Sequence, residues 1–444
     1  RGCPEMVLAL HSLIENRRLG GRSTHLCFLD VVKAYDTVSR SGLALRLFEL
    51  GTPAKLLALV REWYSDDSAC VMMGGLRSDW FDLSLGVKQG DISSPILFSC
   101  YINGAVDLFN QRPDLGVDLG DGRKRLAIQL FADDMVLMAE SGEMLSEMLD
   151  IITAFVDQVR LRLSTGLQQK KSAVMVYGSS VRDEFPLERF HVCGQRIPIA
   201  ETYTYLGVKL HNEGDWEPHV KQIRSNIGQR LGEMREAGMS KYGLPARRGR
   251  DMIRNEINPV LEYASGAWTL PVALERQVEM MWNKAVRSAA GVPGFVSIEP
   301  LIGDLDVLEG MVHSRFMQFR LTMWHRILRM DDDRMVKRCV MLWMKLHSDV
   351  PLKFNPARYW LDRIVQDLQA VGWGECYRVY DPLQRTTLAA VSPSVLKEKL
   401  RKALLSKVVL PVWRNRMKGK GYLDEYRGAF KDPKYIEYQI PNTQ

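Results

Sequence analysis

The 444-residue sequence contains no C-x-x-C pair, no internal repeat and no low-complexity tract. It also lacks an uninterrupted apolar run of the ~18 residues that a membrane helix needs. Its seven cysteines stand at 3, 27, 70, 100, 193, 339 and 376. An odd number without close pairs argues against a disulfide scaffold or a zinc knuckle, and suits a reducing compartment. The eight histidines, His211 and His219 among them, form no pair with cysteine at metal-ligand spacing, so a zinc site is not expected. No membrane partner is expected, and the opening residues from Arg1 do not read as a signal peptide. The expected location is the nucleus or the cytoplasm, and the N-terminus reads as cut from something longer.

What is present is ordinary globular usage, with 46% apolar and 25% charged residues, and this excludes a disordered chain. At roughly 150 residues per domain the length suggests two or three domains. The net charge of +7 is concentrated. Between Ser394 and Lys420 nine Lys/Arg face one acid, Glu398, so that window is +8 and the rest of the chain sums to −1. A second basic stretch, Lys221 to Arg254, sets nine Lys/Arg against Glu233, Glu236 and Asp251. Such clusters can neutralise phosphates and release counterions. A solvated helix face would look the same. The ten tryptophans fall mostly on apolar helical faces, which points to core rather than base-stacking platforms.

Along the chain, short strand-like runs alternate with helical patterns over the first ~180 residues, an α/β texture. Glu5–Asn16 is predicted helical, and Thr24–Leu29 reads as a buried strand ending at Asp30. Leu126–Glu140 holds two apolar runs joined at Asp133-Asp134, a hairpin pattern. A helix is expected over Ser146–Leu161 and a strand over Ser172–Tyr177. Near residue 215 helical patterns take over, as in His219–Glu236, Ala273–Ala290 and Val312–Met330. Loops are marked by Val292-Pro293-Gly294 and Phe354-Asn355-Pro356. Ser392-Pro393 offers an N-cap followed by proline at the first helical position.

Three segments can carry chemistry. Phe28-Leu29-Asp30-Val31-Val32-Lys33-Ala34-Tyr35-Asp36 places an acid at the end of an apolar strand. Phe131-Ala132-Asp133-Asp134 places two carboxylates at an apolar turn, where their repulsion raises a pKa unless a cation neutralises them. Alone, such a pair is usually structural, because Asp is a good turn residue. If the two strands are neighbours, three carboxylates converge, and oxygen ligands of this kind suit Mg²⁺ and phosphates. Two ions roughly 3.5–4 Å apart could then clamp an in-line phosphoryl displacement. The third segment, Gly86–Phe98, places Gln89 and Gly90 before a helix started by Ser94-Pro95, a surface suited to a nucleotide and equally to a plain loop.

Taken together and in this order, these segments resemble the reverse transcriptases of non-LTR (LINE-type) retrotransposons. FLDVVKAYD is similar to the family's first palm motif, GVKQGDISSPILF to the second and FADD to the third. LQQKKSAVMVYG (167–178) resembles the fourth, and Tyr205-Leu206-Gly207-Val208 the primer-grip motif. Leu261–Trp268 resembles a thumb-region patch, and IGDLDV with FRLTMWHRILRM the helices after it. The likeness covers residues 1–210, extends more loosely to about 330, and stops there.

The resemblance implies an α/β right-hand polymerase whose palm is α+β, with a fingers remnant, an all-α thumb and a helical C-terminal region. It implies partial fingers at 1–24, palm with fingers insertions at 25–212, thumb and connection at 213–330, and a basic extension at 331–444. The implied activity is that of an RNA-directed DNA polymerase, a nucleotidyltransferase extending a primer 3′-OH with dNTPs. Its cofactor would be two Mg²⁺ ions, with Mn²⁺ as a substitute. The implied partners are an RNA template, a DNA primer, dNTPs and a nuclease domain on a longer parent chain.

Residue by residue, Asp30, Asp133 and Asp134 with the Val31 carbonyl would hold metal. Tyr35 would exclude a ribose 2′-OH, and the Lys33 and Ala34 backbone would meet the triphosphate. Gln89 and Gly90 would face the incoming nucleotide. Lys171 would protonate or steady pyrophosphate, with Lys170 as a rival, and Tyr205, Leu206 and Gly207 would grip the primer. Asp36 is expected to be structural. Ile92-Ser93 and Gln168 depart from the family pattern, and no ribonuclease H or nuclease signature follows. Two other readings share these features: an inactive nucleic-acid-binding remnant, and a maturase-like protein that assists splicing.

Overall fold

The computed structural model describes residues 2–165, 171–178, 190–236, 244–349 and 360–418. They form two compact units, one of Ser12–Asp215 and one of residues 2–11 together with Trp216 onward. Helix α1 (Cys3–Leu19) runs through the first point of division. The second point falls where helical patterns take over in the sequence.

In the unit Ser12–Asp215, strand β1 (Thr24–Asp30) is followed by α2 (Arg40–Glu49) and α3 (Ala54–Trp63). Four two-residue strands come next: β2 (Ser68–Ala69), β3 (Met72–Met73), β4 (Leu76–Arg77) and β5 (Phe81–Asp82). Then come α4 (Ser94–Ile102), α5 (Gly104–Asn110), β6 (Ile128–Phe131), β7 (Asp134–Ala139), α6 (Gly142–Gln158) and β8 (Ala173–Tyr177). The unit closes with two hairpins, β9 (His191–Val192) with β10 (Gln195–Arg196), and β11 (Thr202–Tyr205) with β12 (Val208–His211).

The main sheet has the order β6-β7-β1-β8, with every neighbouring pair antiparallel. Because β1 is an inner strand covered on both faces, it reads as a nearly continuous apolar run. Alternate residues serve different faces: Cys27 and Leu29 join the core made by Phe98 and Tyr101 of α4 and by Leu145, Met148, Leu149 and Ile152 of α6. On the other face Phe28 stacks against Tyr203, with ring centroids 4.2 Å apart and planes 15° apart. Leu206 (φ 46°) and Gly207 (φ 80°) join β11 to β12. Positive φ at both central residues matches the twist of the flanking strands.

Helix α6 starts four residues before the expected Ser146. Ser141 is its N-cap, its Oγ accepting from the Met144 N–H at 3.2 Å. It ends before the expected Leu161, with Arg160 left-handed at φ 55° just beyond. At Gly116 (φ 100°) an added Cβ would lie 2.7 Å from the Ala127 amide nitrogen, so this close approach requires glycine.

The second unit is helical throughout its described residues from Trp216: α7 (Glu217–Glu236), α8 (Ala246–Met252), α9 (Asn258–Glu262), α10 (Val272–Ala290), α11 (Ile298–Asp304), α12 (Val312–Leu328) and α13 (Met335–Asp349). After residue 359 follow α14 (Trp360–Ala370), α15 (Pro382–Ala390), α16 (Pro393–Ala403) and α17 (Leu410–Lys418). The Ser392 cap is present, accepting from the Val395 N–H. Tryptophans 268, 282, 324, 343 and 360 are fully buried, as expected of core, whereas Trp63 and Trp80 of the other unit are exposed. Three of these indoles donate to defined acceptors: Trp268 to the Tyr263 carbonyl at 3.3 Å, Trp282 to the Asn258 side-chain oxygen at 3.0 Å and Trp360 to the Gly266 carbonyl at 2.7 Å.

An ion pair lies inside this helical core. Arg320 donates twice to the Asp367 carboxylate, at 2.6 and 3.1 Å, with each side chain 1% exposed. Beside it Arg363 donates to Glu275 at 2.6 Å.

The basic stretches carry less free charge than their windows suggest. Lys221, Arg224, Arg230 and Arg235 are exposed on α7, but Arg250 and Arg254 pair with Asp306. Likewise Arg401 pairs with Glu309 and Arg416 with Glu279. These acids lie outside the basic windows, so counting charge along the sequence could not find them. The expected loop at Phe354–Pro356, the last residue of the C-terminal basic window, Lys420, and residues 237–243 of the other window lie outside the described residues.

Gly116→Ala should destabilise the first unit by roughly 1–3 kcal/mol, the usual cost of a strained left-handed residue, with the close approach adding to it. Gly120→Ala, at φ 72° with open space around it, should cost less. Urea denaturation of the two variants side by side checks the order.

Candidate active site

The site is built from one cross-strand row. Antiparallel pairing sets Asp30 of β1 opposite Asp134 of β7, so both side chains stand on one face of the sheet. On the other side of β1, Phe28 faces Ala173, and continuing that register by two residues brings Lys171 opposite Asp30. The Lys171 Nζ lies 3.4 Å from the Asp30 Oδ2. The row therefore runs carboxylate, carboxylate, ammonium. Lys171 is the member of the lysine pair placed at Asp30, while Lys170 lies outside the described residues.

Asp133 sits in the turn between β6 and β7, directly after Ala132, whose φ is 50°. A non-glycine residue there is strained, and the paired strands on either side hold it in place. Burial, then the charges of Asp133 and Asp30, push the Asp134 carboxyl up to about 6, partly offset by Lys171. The group is short of a cation. Among the described residues no three of His, Cys, Asp and Glu already close around a single ion. The donor set is nonetheless one of hard oxygens, and the nearest charge compensating it is an exposed ammonium, so the residues present fit a divalent ion such as Mg²⁺.

The first motif continues as a tight loop. Lys33 is exposed with φ 47°, and its carbonyl accepts from the Asp36 and Thr37 amides. Ala34 is buried. The Tyr35 ring stacks on Phe98 at 5.2 Å, and burial, then the charge of Asp133, raises its hydroxyl pKa. The second motif is fastened to the first. The Val87 N–H donates to the Tyr35 carbonyl at 2.8 Å, and an added Cβ on Gly86 (φ 87°) would meet the Tyr35 and Asp36 carbonyls at 3.0 Å. Gln89 donates to the Asp36 Oδ1 at 2.8 Å, and Gly90, at φ 88°, is exposed. Asp36 thus holds the Gln89 amide.

The hairpin β11–β12 supplies the remaining expected residues. Tyr205 is buried at 1% exposure and its hydroxyl accepts from Gln129 at 3.0 Å, so its side chain belongs to the core. Leu206 and Gly207 form the turn that the hairpin presents. Sequence reasoning missed Tyr203 and Ser172. Tyr203 donates to the Lys171 carbonyl at 2.6 Å, and the Ser172 Oγ accepts from the Asp30 N–H at 3.3 Å. The alternation Thr202-Tyr203-Thr204-Tyr205, which puts both rings on one face of a strand, was the available signal. The Tyr203 hydroxyl pKa is raised by burial first and then by Asp134 and Asp30.

A family model described as reverse transcriptase (RNA-dependent DNA polymerase) matches residues 4–210. The Pol polyprotein from the type-2 retrotransposable element R2DM of Drosophila melanogaster is 25% identical over 316 residues, covering 69% of this chain and 28% of that protein. The RNA-directed DNA polymerase from mobile element jockey of Drosophila funebris is 22% identical over 315 residues, covering 69% and 32%. The Pol polyprotein from the type-1 retrotransposable element R2 of Popillia japonica is 27% identical over 255 residues, covering 53% and 35%. The chain spans about a third of the length of these relatives. Among solved structures, telomerase from Candida tropicalis with a fragment of telomeric RNA aligns at a TM-score of 0.35 and 11% identity, over 67% of this chain and 49% of that one. Residues 4–210, which hold all the segments of the site, thus match the reverse transcriptase family model, and the chain is similar to RNA-directed DNA polymerases of non-LTR retrotransposons.

Proposed function

We propose that this chain polymerises DNA on an RNA template, extending the 3′-OH of a DNA primer with dNTPs. The observation that carries the reading is the Asp134–Asp30–Lys171 row with Asp133 at the adjoining turn. In this reading residues 25–212 are the palm of a right-hand polymerase with fingers insertions, 1–24 a part of the fingers, 213–330 the thumb and 331–444 a basic extension. Asp30, Asp133 and Asp134 with the Val31 carbonyl would hold two Mg²⁺ ions, or Mn²⁺ in their place. Bound there, the ions would supply charge neutralisation at the attacking and leaving oxygens of an in-line displacement.

The chain's own residues do the rest. Tyr35, braced by Phe98, is a flat wall that a 2′-OH would strike, which selects deoxyribose. The exposed Gln89, oriented by Asp36, meets the incoming nucleotide, and Gly90 lets the backbone approach it. The loop at Lys33 and Ala34 presents backbone to the triphosphate. Lys171 can give up its contact with Asp30 to donate a proton to pyrophosphate. The Leu206-Gly207 turn sets the primer end. In the other unit, the exposed arginines and lysine of α7 suit contact with nucleic-acid phosphates. A nuclease domain on a longer parent chain would supply the primer.

Primer extension on an RNA template with dNTPs and Mg²⁺ tests the reading, and both Asp133→Asn and EDTA should abolish it. Folded, primer-binding protein that never extends would instead favour an inactive nucleic-acid-binding remnant. Tyr35→Ala should relax the preference for dNTP over rNTP by on the order of 10²-fold, measured as a ratio of kcat/KM values.

The pH dependence follows from Asp134. Its carboxyl pKa is raised to about 6 before an ion binds, so a bound proton stabilises the folded state. That contribution is complete below the ordinary carboxylate range and is lost as pH rises through about 6. A divalent ion must displace the proton, so Mn²⁺ affinity should weaken as pH falls from roughly 7.5 to 5. Calorimetric titration at several pH values checks this, and Asp134→Asn should flatten the profile.

A further inference from the structure

We propose that Tyr203 is a positioning residue that presents Lys171 to Asp30, so that the Lys171 ammonium fills the cation's place at Asp30 until a divalent ion displaces it. The proposal rests on the reading of Asp30 and its neighbours as a divalent-cation site.

Lys171 stands just outside β8, which begins at Ala173, where ladder hydrogen bonds no longer hold it. Two side chains fix it there. The Tyr203 hydroxyl donates to the Lys171 carbonyl at 2.6 Å, and the adjoining Ser172 accepts the Asp30 N–H at 3.3 Å. The Tyr203 ring is itself fixed, stacked on Phe28 two residues before Asp30 and on the same face of β1. Its strand is also tied to β8, because the segment entering β11 pairs with it: the Val174 N–H donates to the Pro198 carbonyl and the Ala200 N–H to the Val174 carbonyl. One tyrosine thus references the Lys171 main chain to the strand that carries Asp30.

The ammonium end is held far less firmly than the backbone. The Lys171 side chain is 65% exposed and its contact with Asp30 is 3.4 Å long, whereas the Asp30 side chain is 17% exposed. An exposed ion pair of this kind contributes little and exchanges readily. A flexible four-carbon stem anchored at its base can release the carboxylate without any backbone rearrangement. The carboxylate is thereby compensated while no ion is bound, and the displaced ammonium stays within reach of whatever the ion brings with it.

The test is Mn²⁺ binding to the full chain at about pH 7.5, followed by electron paramagnetic resonance, with Asp30→Asn defining background binding. Lys171→Ala should tighten Mn²⁺ binding by about two- to five-fold, the factor an exposed ion pair is worth. Tyr203→Phe, which keeps the stacked ring and removes one oxygen, should tighten it in the same direction. The double variant should bind no more tightly than Lys171→Ala alone. Unchanged affinity in Lys171→Ala would overturn the exchange, and effects that multiply in the double variant, or no effect of Tyr203→Phe, would overturn the role of Tyr203. Manganese binding that Asp30→Asn leaves unaltered would remove the cation site and the proposal with it. Wild-type primer extension run in parallel keeps the two ideas apart. Competition without extension sinks the polymerase reading alone, and extension without competition sinks this proposal alone.

Discussion

The constraint on which the first unit depends is the register of β1. Its residues point alternately to opposite faces, so a slip of one position relative to β7 would turn Asp30 toward α4 and α6 and expose Leu29 in its place. The core prevents this, because Cys27 and Leu29 fill space among Phe98, Leu145 and Met148 that a carboxylate could not occupy without a large desolvation cost. Packing on one face of the sheet thus fixes the chemistry on the other. The same register delivers Lys171, since β8 pairs with β1 through its apolar residues and the lysine lies just past the last of them.

Much of this was legible in the residues. Apolar runs bounded by Asp30 and by Asp133-Asp134 marked the strands, and helical spacing marked α1, α7, α10 and α12 within a few residues. What the order of residues could not supply was pairing. Whether Asp30 lies beside Asp134, and which of Lys170 and Lys171 faces it, depends on hydrogen bonds between segments far apart in the chain. The motif likeness suggested the neighbourhood; the register supplied it. Tyr203 escaped notice for a related reason, because its role lies in what its hydroxyl reaches across the sheet. The start of α6 differs for a local reason: Ser141 and Ser146 are both plausible caps in sequence, and the Met144 N–H selects the first.

The basic stretches show the limit of charge counting. Residues within a window are close in sequence, but the acids that neutralise them come from other helices and turns: Asp306 serves Arg250 and Arg254, and Glu309 serves Arg401. On α7 the exposed Lys221, Arg224, Arg230 and Arg235 share the helix with exposed Glu217, Glu233 and Glu236, and Arg230 pairs with Glu233, so the surplus of positive charge there is small. Aromatic residues behaved more simply, since a buried tryptophan carries a large apolar area and needs one acceptor, which a helical core can provide.

The Arg320–Asp367 pair has a consequence for how this sequence can change over time. Either residue replaced alone would leave its partner buried without its two hydrogen bonds, Asp367 keeping only Arg363 at 3.9 Å, whereas an apolar pair of similar volume could be tolerated well. Two acceptable sequences are thus separated by intermediates that fold poorly, and a lineage holding one of them is confined to it unless both codons change together. The pair can persist in descendants for that reason alone, so its persistence by itself would say nothing about catalysis.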